Sequence, residues 1–325
     1  MSEILSPTKQ TQDLLEILQW PGFGVAAVRS IAASINAGSL AGSSSPKEAA
    51  QKMFPKKFPL TSEQIKKAEE KKSSILERCS RFGIAVLSCC DEAYPGPLKS
   101  INDSPPILYA KGNLSVLKTP CVAVVGTRKP SDLGRTWCKE VTEILVRRGY
   151  ATVSGLAFGI DSTVHAETLR NSGSTIAVLA SGLDIITPKK NTHAAESIIE
   201  GGGALISEHP PGTPARPREF VLRNRIQSGL SMISVVVETK EDGGSTQEAK
   251  FCKEQGRDLL VVSPNKRESG SKKFLYEGVY FLRDQLGAQE LSSIRELESY
   301  LDYKESHGQR VAEESQARDA QLNLF

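Results

Sequence analysis

Short apolar runs rich in β-branched residues alternate with amphipathic helical stretches over most of this chain. The runs are CVAVVG, ATVSG, STIAVLA, GALISE, MISVVVE and DLLVVS, with helical segments between them. This alternation predicts an α/β fold built on a doubly wound, mostly parallel sheet. Two earlier runs, IAVLSC and ILYAKG, extend the sheet. One intervening stretch, DLGRTWCKEVTEILVRRG, puts Leu133, Trp137, Val141, Ile144 and Leu145 on one helical face, and Gly149 ends the helix.

The flanks read differently. Residues 1–80 form a small helical domain, helix-hairpin-helix or SAM-like, with a linker. In LLEILQWPGFGVAAVRSIAASI the helical spacing is broken by Pro21-Gly22-Phe23-Gly24. Such a turn can hold a phosphate on its backbone N–H groups, or its glycines can simply permit a sharp turn between packed helices. Residues 42–80 read as a Ser/Lys-rich linker and then a charged helix whose Lys-Lys and Glu-Glu runs mark a solvated face. Residues 81–302 are the α/β domain, and 303–325 are polar enough to read as a disordered, flexible tail.

Net charge is only +3, so nucleic-acid binding has to come from a local basic patch. No apolar run is long enough to span a bilayer, and the first residues lack a signal-peptide core, which predicts a cytoplasmic protein. The six cysteines form no C-x-x-C pair and the four histidines are scattered. Neither a disulfide framework nor a metal site is expected, and no cofactor is implied.

In open α/β sheets, ligands bind beyond the carboxyl ends of the strands. Those ends are marked here by Gly126-Thr127-Arg128, by Ser154-Gly155-Leu156 leading to Gly159-Ile160-Asp161, by Ser181-Gly182-Leu183-Asp184, by Ser207-Glu208, and by Glu238 followed by Gly243-Gly244-Ser245-Thr246. Glycines let a backbone approach a ligand, and hydroxyls with helix N-termini offer donors to phosphate. Five such loops along one rim indicate a shared crevice. The strongest basic cluster, PPGTPARPREFVLRNRIQSG, holds Arg216, Arg218, Arg223 and Arg225 within ten residues, with Phe220 among them. Arginine forks hold phosphates and an aromatic ring stacks on a base. Arg223 and Arg225 flank Asn224 and so point in different directions on a helix. Either one faces DNA while the other pairs with an acid such as Asp161 or Glu208, or both bury salt bridges that hold the loops.

No G-x-G-x-x-G follows the first strand of the alternating region and no G-x-x-x-x-G-K-[ST] occurs, which argues against an ordinary NAD site and against a P-loop. His165 lies one turn after Asp161, and Glu208 and Asp184 lie at strand ends. These are acid–base candidates, or ordinary helix-face, loop-capping and arginine-pairing residues.

The order VGTRKPSDLG, VSGLAFGID, AVLASGLDIITP, LISEHPPGTPARPREFVLRNRIQSGLS and EQGRDLLVV closely resembles the DNA-processing protein A (DprA/Smf) family, as do EAYPGPLKSINDSPPILYAKGN upstream and GSKKFLYEGVYFLRD downstream. The resemblance covers about residues 81–302. It implies a Rossmann-like domain that binds single-stranded DNA in a positive pocket, dimerises through that domain, and helps load a RecA-type recombinase without being a classical enzyme. By position it implies DNA binding by Arg128, Ser131, Gly155, Gly159, Gly182, Arg218, Phe220, Arg223 and Arg225. The alternative within the same superfamily is a nucleotide-binding sensor or a phosphoribohydrolase-like enzyme that would depend on Glu248 or Glu208. GGSTQE faintly resembles that enzyme's G-G-x-G-T-x-x-E motif but is one residue short.

The chain departs from the pattern in two places. The family's usual S-G-S-L-I-T-A segment reads GGSTQEA, which brings in Glu248; the carboxylate either weakens phosphate binding or lies on the helix's outer face. Many relatives carry a C-terminal winged helix, and a short tail stands in its place. That tail ends in QLNLF, where Gln321, Leu322, Leu324 and Phe325 resemble the bacterial sliding-clamp-binding motif Q-L-[SD]-L-F.

Overall fold

The computed structural model describes residues 5–39, 45–264 and 274–307. Its strands are β1 (Ala85–Ser88), β2 (Ile107–Gly112), β3 (Cys121–Val125), β4 (Ala151–Ser154), β5 (Thr175–Val178), β6 (Ala204–Ser207), β7 (Ile233–Val236), β8 (Asp258–Val262) and β9 (Gln289–Leu291). Among the described residues they form one nine-stranded sheet in the order β1-β2-β6-β5-β4-β3-β7-β8-β9. β1 and β6 each pair antiparallel with β2, and every other pairing is parallel, so only β2 runs against the rest. This is the mostly parallel sheet that the alternation predicts. β3 to β7 are buried along their whole length, which is why they read as unbroken apolar runs.

From β3 the chain walks through β4 and β5 to β6, using α6 (Asp132–Arg147), α7 (Ile160–Arg170) and α8 (Thr192–Glu200) as crossovers. It then returns past β3 through α9 (Pro217–Leu230) to β7, and continues outward through α10 (Gly244–Glu254) and α11 (Tyr276–Leu286). Right-handed crossovers put helices of opposite walks on opposite faces of the sheet. Accordingly α6, α7 and α8 pack side by side, as do α9, α10 and α11. The walk reverses between β3 and β7, so a crevice opens beyond the ends of those two strands. α6 shows how local sequence sets an element: Ser131 Oγ accepts from the Gly134 N–H at 3.0 Å to start it, and Gly149 adopts φ 79° after its end.

The N-terminal helices are α1 (Lys9–Ile17), α2 (Val25–Asn36), α3 (Pro46–Met53) and α4 (Ser62–Phe82), and the short α5 (Gly96–Lys99) lies between β1 and β2. α1 and α4 pack directly on β1, and one continuous apolar cluster runs from Leu14 and Ile31 to Leu108 and Ile206. α3 lies inside the stretch expected to be linker. Ser45 caps it and Pro46 opens it, and Ala49 and Ala50 bury against its neighbours. At the hairpin tip, Phe23 is buried against Trp20, Phe54 and Phe58.

At the other end, residues 294–307 form α12, so helix continues past position 303, where the tail was expected to begin. Arg148 pairs with Asp302 at 2.5 Å and Tyr150 donates to Glu305 at 3.1 Å, which docks this helix on the end of α6. Gln321, Leu322, Leu324 and Phe325 lie outside the described residues.

Candidate functional site

A cleft of ≈ 660 Å³ occupies the β3/β7 reversal point. Its walls are the loop after β3 (Gly126, Thr127, Arg128), the loop after β4 (Gly155, Ala157, Phe158), the loop after β7 (Thr239, Lys240) and facing sides of α9 and α10. Backbone bonds tie the two central strand ends together, with the Thr127 N–H donating to Glu238 O at 2.6 Å.

α9 contributes Phe220, Arg223, Asn224 and Gln227 to the cleft. Their i, i+3, i+4, i+7 spacing is one helical face. Arg225 stands off that face and does not line the cleft. It pairs with Glu208 at 2.6 Å and with Asp103 at 3.1 Å. Arg223 is buried at the cleft floor, where it donates to Gly155 O at 2.7 Å and to Val178 O. The two arginines thus do different things, but both are buried and engaged within the protein. Burial pushes Arg223 down to about 10, which leaves it charged at neutral pH.

The loop after β4 is built around that guanidinium. A Cβ on Gly155 would lie 2.4 Å from Arg223 Nη2, so only glycine fits there. Leu156 is forced to φ 57°, and its carbonyl is held by Asn191 Nδ2 at 2.7 Å. Asp161 collects the N–H groups of Gly155 and Ala157 at 3.1 and 3.3 Å. Burial lifts the Asp161 carboxyl, against the opposing pull of Arg223. Gly159, at φ 83°, brings α7 against the β3 loop, since a Cβ there would meet Thr127 O at 2.4 Å.

Glu248 is buried on α10 and lines the cleft, so it is not on the helix's outer face. Ser234 Oγ donates to its Oε1 at 2.7 Å. Burial lifts this carboxyl to about 8, so it carries a proton at neutral pH. Once unfolded it ionises near its usual 4.5, so stability should fall as pH rises from there to about 8 and level off above. Glu248→Gln cannot ionise. In thermal melts its stability relative to wild type is expected to increase between pH 5 and 8, at up to ~1.4 kcal/mol per unit of pH. A difference independent of pH would show that the carboxyl titrates normally.

Beside the cleft lies a second recess of ≈ 380 Å³, which shares Thr127, Arg128 and Lys240 with it and adds Lys129, Ser131, Glu238 and Leu275. Arg128, Lys129 and Lys240 are exposed and form no ion pair among the described residues. Ser131 Oγ caps α6 and donates to Glu238 Oε2 at 3.0 Å.

The structure therefore gathers Arg128, Gly155, Phe220 and Arg223 in one cleft, puts Ser131 in the adjoining recess, and uses Gly159 to shape the wall between them. Gly182 backs onto Pro210 and Thr213 away from the cleft, and Arg218 is exposed at the start of α9 without lining it. The acid–base candidates have structural partners. His165 is buried on Thr175 Oγ1 at 2.7 Å and pushed down to about 3 by burial, and Asp184 pairs with Arg78 at 2.6 Å. Sequence reasoning missed Phe158, an exposed aromatic on the rim, as well as Lys240 and Gln227. An aromatic set between Ala157 and Gly159, outside any apolar periodicity, was the available signal for the first.

The family model for DNA recombination-mediator protein A matches residues 85–289. DNA processing protein DprA of Bacillus subtilis is 40% identical over 181 residues, which cover 55% of this chain and 61% of that one. The match thus spans less than two-thirds of that relative's length. The crystallographic fold of DNA processing protein A from Streptococcus pneumoniae superposes with a TM-score of 0.69 at 26% identity, covering 91% of this chain and 98% of that one. Helicobacter pylori DNA processing protein A, described for its unique single-stranded DNA binding mode, gives 0.59 at 25% identity, covering 68% and 96%. With its fold, its ordered motifs and more than half its length matched, the chain belongs to the DNA recombination-mediator protein A family.

Proposed function

We propose that this protein binds single-stranded DNA along the cleft and the adjoining recess, and that it acts as a recombination mediator that assists a RecA-type recombinase. The observation that carries this reading is the pairing of cations that form no ion pair among the described residues with one exposed and one half-buried aromatic ring. Arg128, Lys129 and Lys240 stand at the mouth while Phe158 and Phe220 form the rim. Cations hold phosphates and aromatic faces take unstacked bases, which is the chemistry of single-strand binding. The Helicobacter pylori relative, described for binding single-stranded DNA, supports it.

In this reading Gly155 and Arg223 shape the floor, Ser131 and Gly159 set the recess wall, and Arg218 meets the strand outside the cleft. Gly182 and Arg225 hold the surrounding loops. Binding, not catalysis, is the activity we assign: Glu208, one of the two carboxylates on which an enzyme could depend, is held by Arg225 and does not line the cleft. We also assign to this chain homodimer formation through the α/β domain. Among the described residues no helix is long and apolar enough to cross a membrane.

Competition between labelled single strand and duplex of equal length tests the reading. A stacked base contributes ~1–3 kcal/mol that a duplex cannot offer, so duplex should compete at least about fivefold less well. Equal competition would remove the single-strand assignment. For the terminal QLNLF we propose docking to the DNA polymerase sliding clamp. Deleting residues 321–325 is expected to abolish clamp binding in a pull-down or titration, and unchanged affinity would refute it.

A further inference from the structure

We propose that Glu248 and Gln227 read the hydrogen-bonding edge of one nucleobase inserted into the cleft, so that the protein prefers some bases over others at one position of the strand. This rests on the single-stranded DNA reading above and deepens it.

Two polar atoms at the cleft floor lack partners. Glu248 Oε2 and Gln227 Oε1 are buried, on residues 1% exposed, and neither has a hydrogen-bond partner among the described residues. Both residues line the cleft, one from α10 and the other from α9. Buried polar atoms without partners are costly, and a bound ligand is one way of satisfying them. Glu248 Oε1 already accepts from Ser234, which leaves Oε2 to carry the proton of the neutral carboxyl. One O–H donor and one carbonyl acceptor therefore lie closed just beneath the cleft surface, where a base entering the cleft would uncover them.

That pair suits a base edge and not a phosphate. Every nucleobase edge offers ring or exocyclic acceptors beside N–H donors, and so matches a carboxylic O–H beside an amide, whereas a phosphate at neutral pH offers acceptors only. The cations that suit phosphate stand at the mouth, and Phe158 and Phe220 stand where a ring entering the cleft would pass.

The test is anisotropy competition with oligo-dA, oligo-dC and oligo-dT of equal length and with an abasic strand, on full-length wild type, Glu248→Thr, Glu248→Gln and Gln227→Met. Thermal melts confirm that each variant is folded. Wild type is expected to separate its best and worst homo-oligomer by roughly fivefold or more, the worth of about one hydrogen bond. Glu248→Thr and Gln227→Met should each collapse that spread to within about twofold, and should weaken the best homo-oligomer more than the abasic strand. Glu248→Gln keeps a donor and an acceptor and should keep the spread. Equal wild-type binding of all three homo-oligomers, or a spread that survives in both Glu248→Thr and Gln227→Met, would overturn base reading while DNA binding itself stands. No binding of any strand by wild type would instead overturn the DNA reading on which it depends.

Discussion

Arg223→Ala is expected to destabilise the protein by about 2–6 kcal/mol, because two buried carbonyls each lose their donor at about 1–3 kcal/mol apiece. Arg223 is buried beside Asp161, whose burial already disfavours its charged form. Without the guanidinium, Asp161 loses its opposing charge, and the carbonyls of Gly155 and Val178 lose their donor. Those carbonyls belong to the ends of β4 and β5, so the wall of the cleft loosens with them. Gly155→Ala should act in the same direction, because its Cβ would sit 2.4 Å from the same guanidinium. Arg223→Lys keeps a charge but has no fork to reach both carbonyls, and should fall between. Urea melts measure all three. A wild-type midpoint for Arg223→Ala would mean that the arginine is not the post on which the cleft is built.

Arg128→Ala should do the opposite: leave stability within about 0.5 kcal/mol and remove most DNA binding. The side chain is exposed, has no ion pair among the described residues, and borders both the cleft and the recess. A phosphate-holding arginine between the two subsites should be worth about tenfold or more in affinity at low salt. Its loss should lower the dependence of log affinity on log salt by about one counterion. Normal affinity in a folded Arg128→Ala protein would move the strand away from the β3 loop.

The contrast between these arginines shows how far the sequence could be read. Apolar runs such as CVAVV are buried on both faces in any parallel sheet, so the strands, and the loops that follow their carboxyl ends, were legible from the local alternation of residues. It was also legible that Arg223 and Arg225 diverge, since helical phase requires it. What each meets depends on partners brought in from elsewhere: Asp103 lies 122 positions before Arg225, and Val178 lies 45 before Arg223. No local pattern carries that information. Glu248 shows the same limit. Its turn on α10 was readable as a departure from the family segment, but its inward direction follows from how α10 packs on α9 and β7. α3 was missed because an eight-residue helix with only Ala49 and Ala50 buried beyond its opening Pro46 has too little apolar periodicity to stand out from a linker. α12 extends into polar sequence because Arg148 and Tyr150, 150 or so residues earlier, hold it.

In the proposed function the β3/β7 cleft, and not the arginine cluster as a whole, is where DNA binds. It is tested most directly by titrating a fluorescent single strand at two salt concentrations into wild type, Arg128→Ala and Arg225→Ala, with melts run alongside. Wild type should show salt-sensitive binding, a fully stable Arg128→Ala should lose it, and a less stable Arg225→Ala should still bind through its folded fraction, because Arg225 serves Glu208 and Asp103 outside the cleft. Retained binding in Arg128→Ala together with its loss in folded Arg225→Ala would contradict the account and place the DNA on the other side of α9.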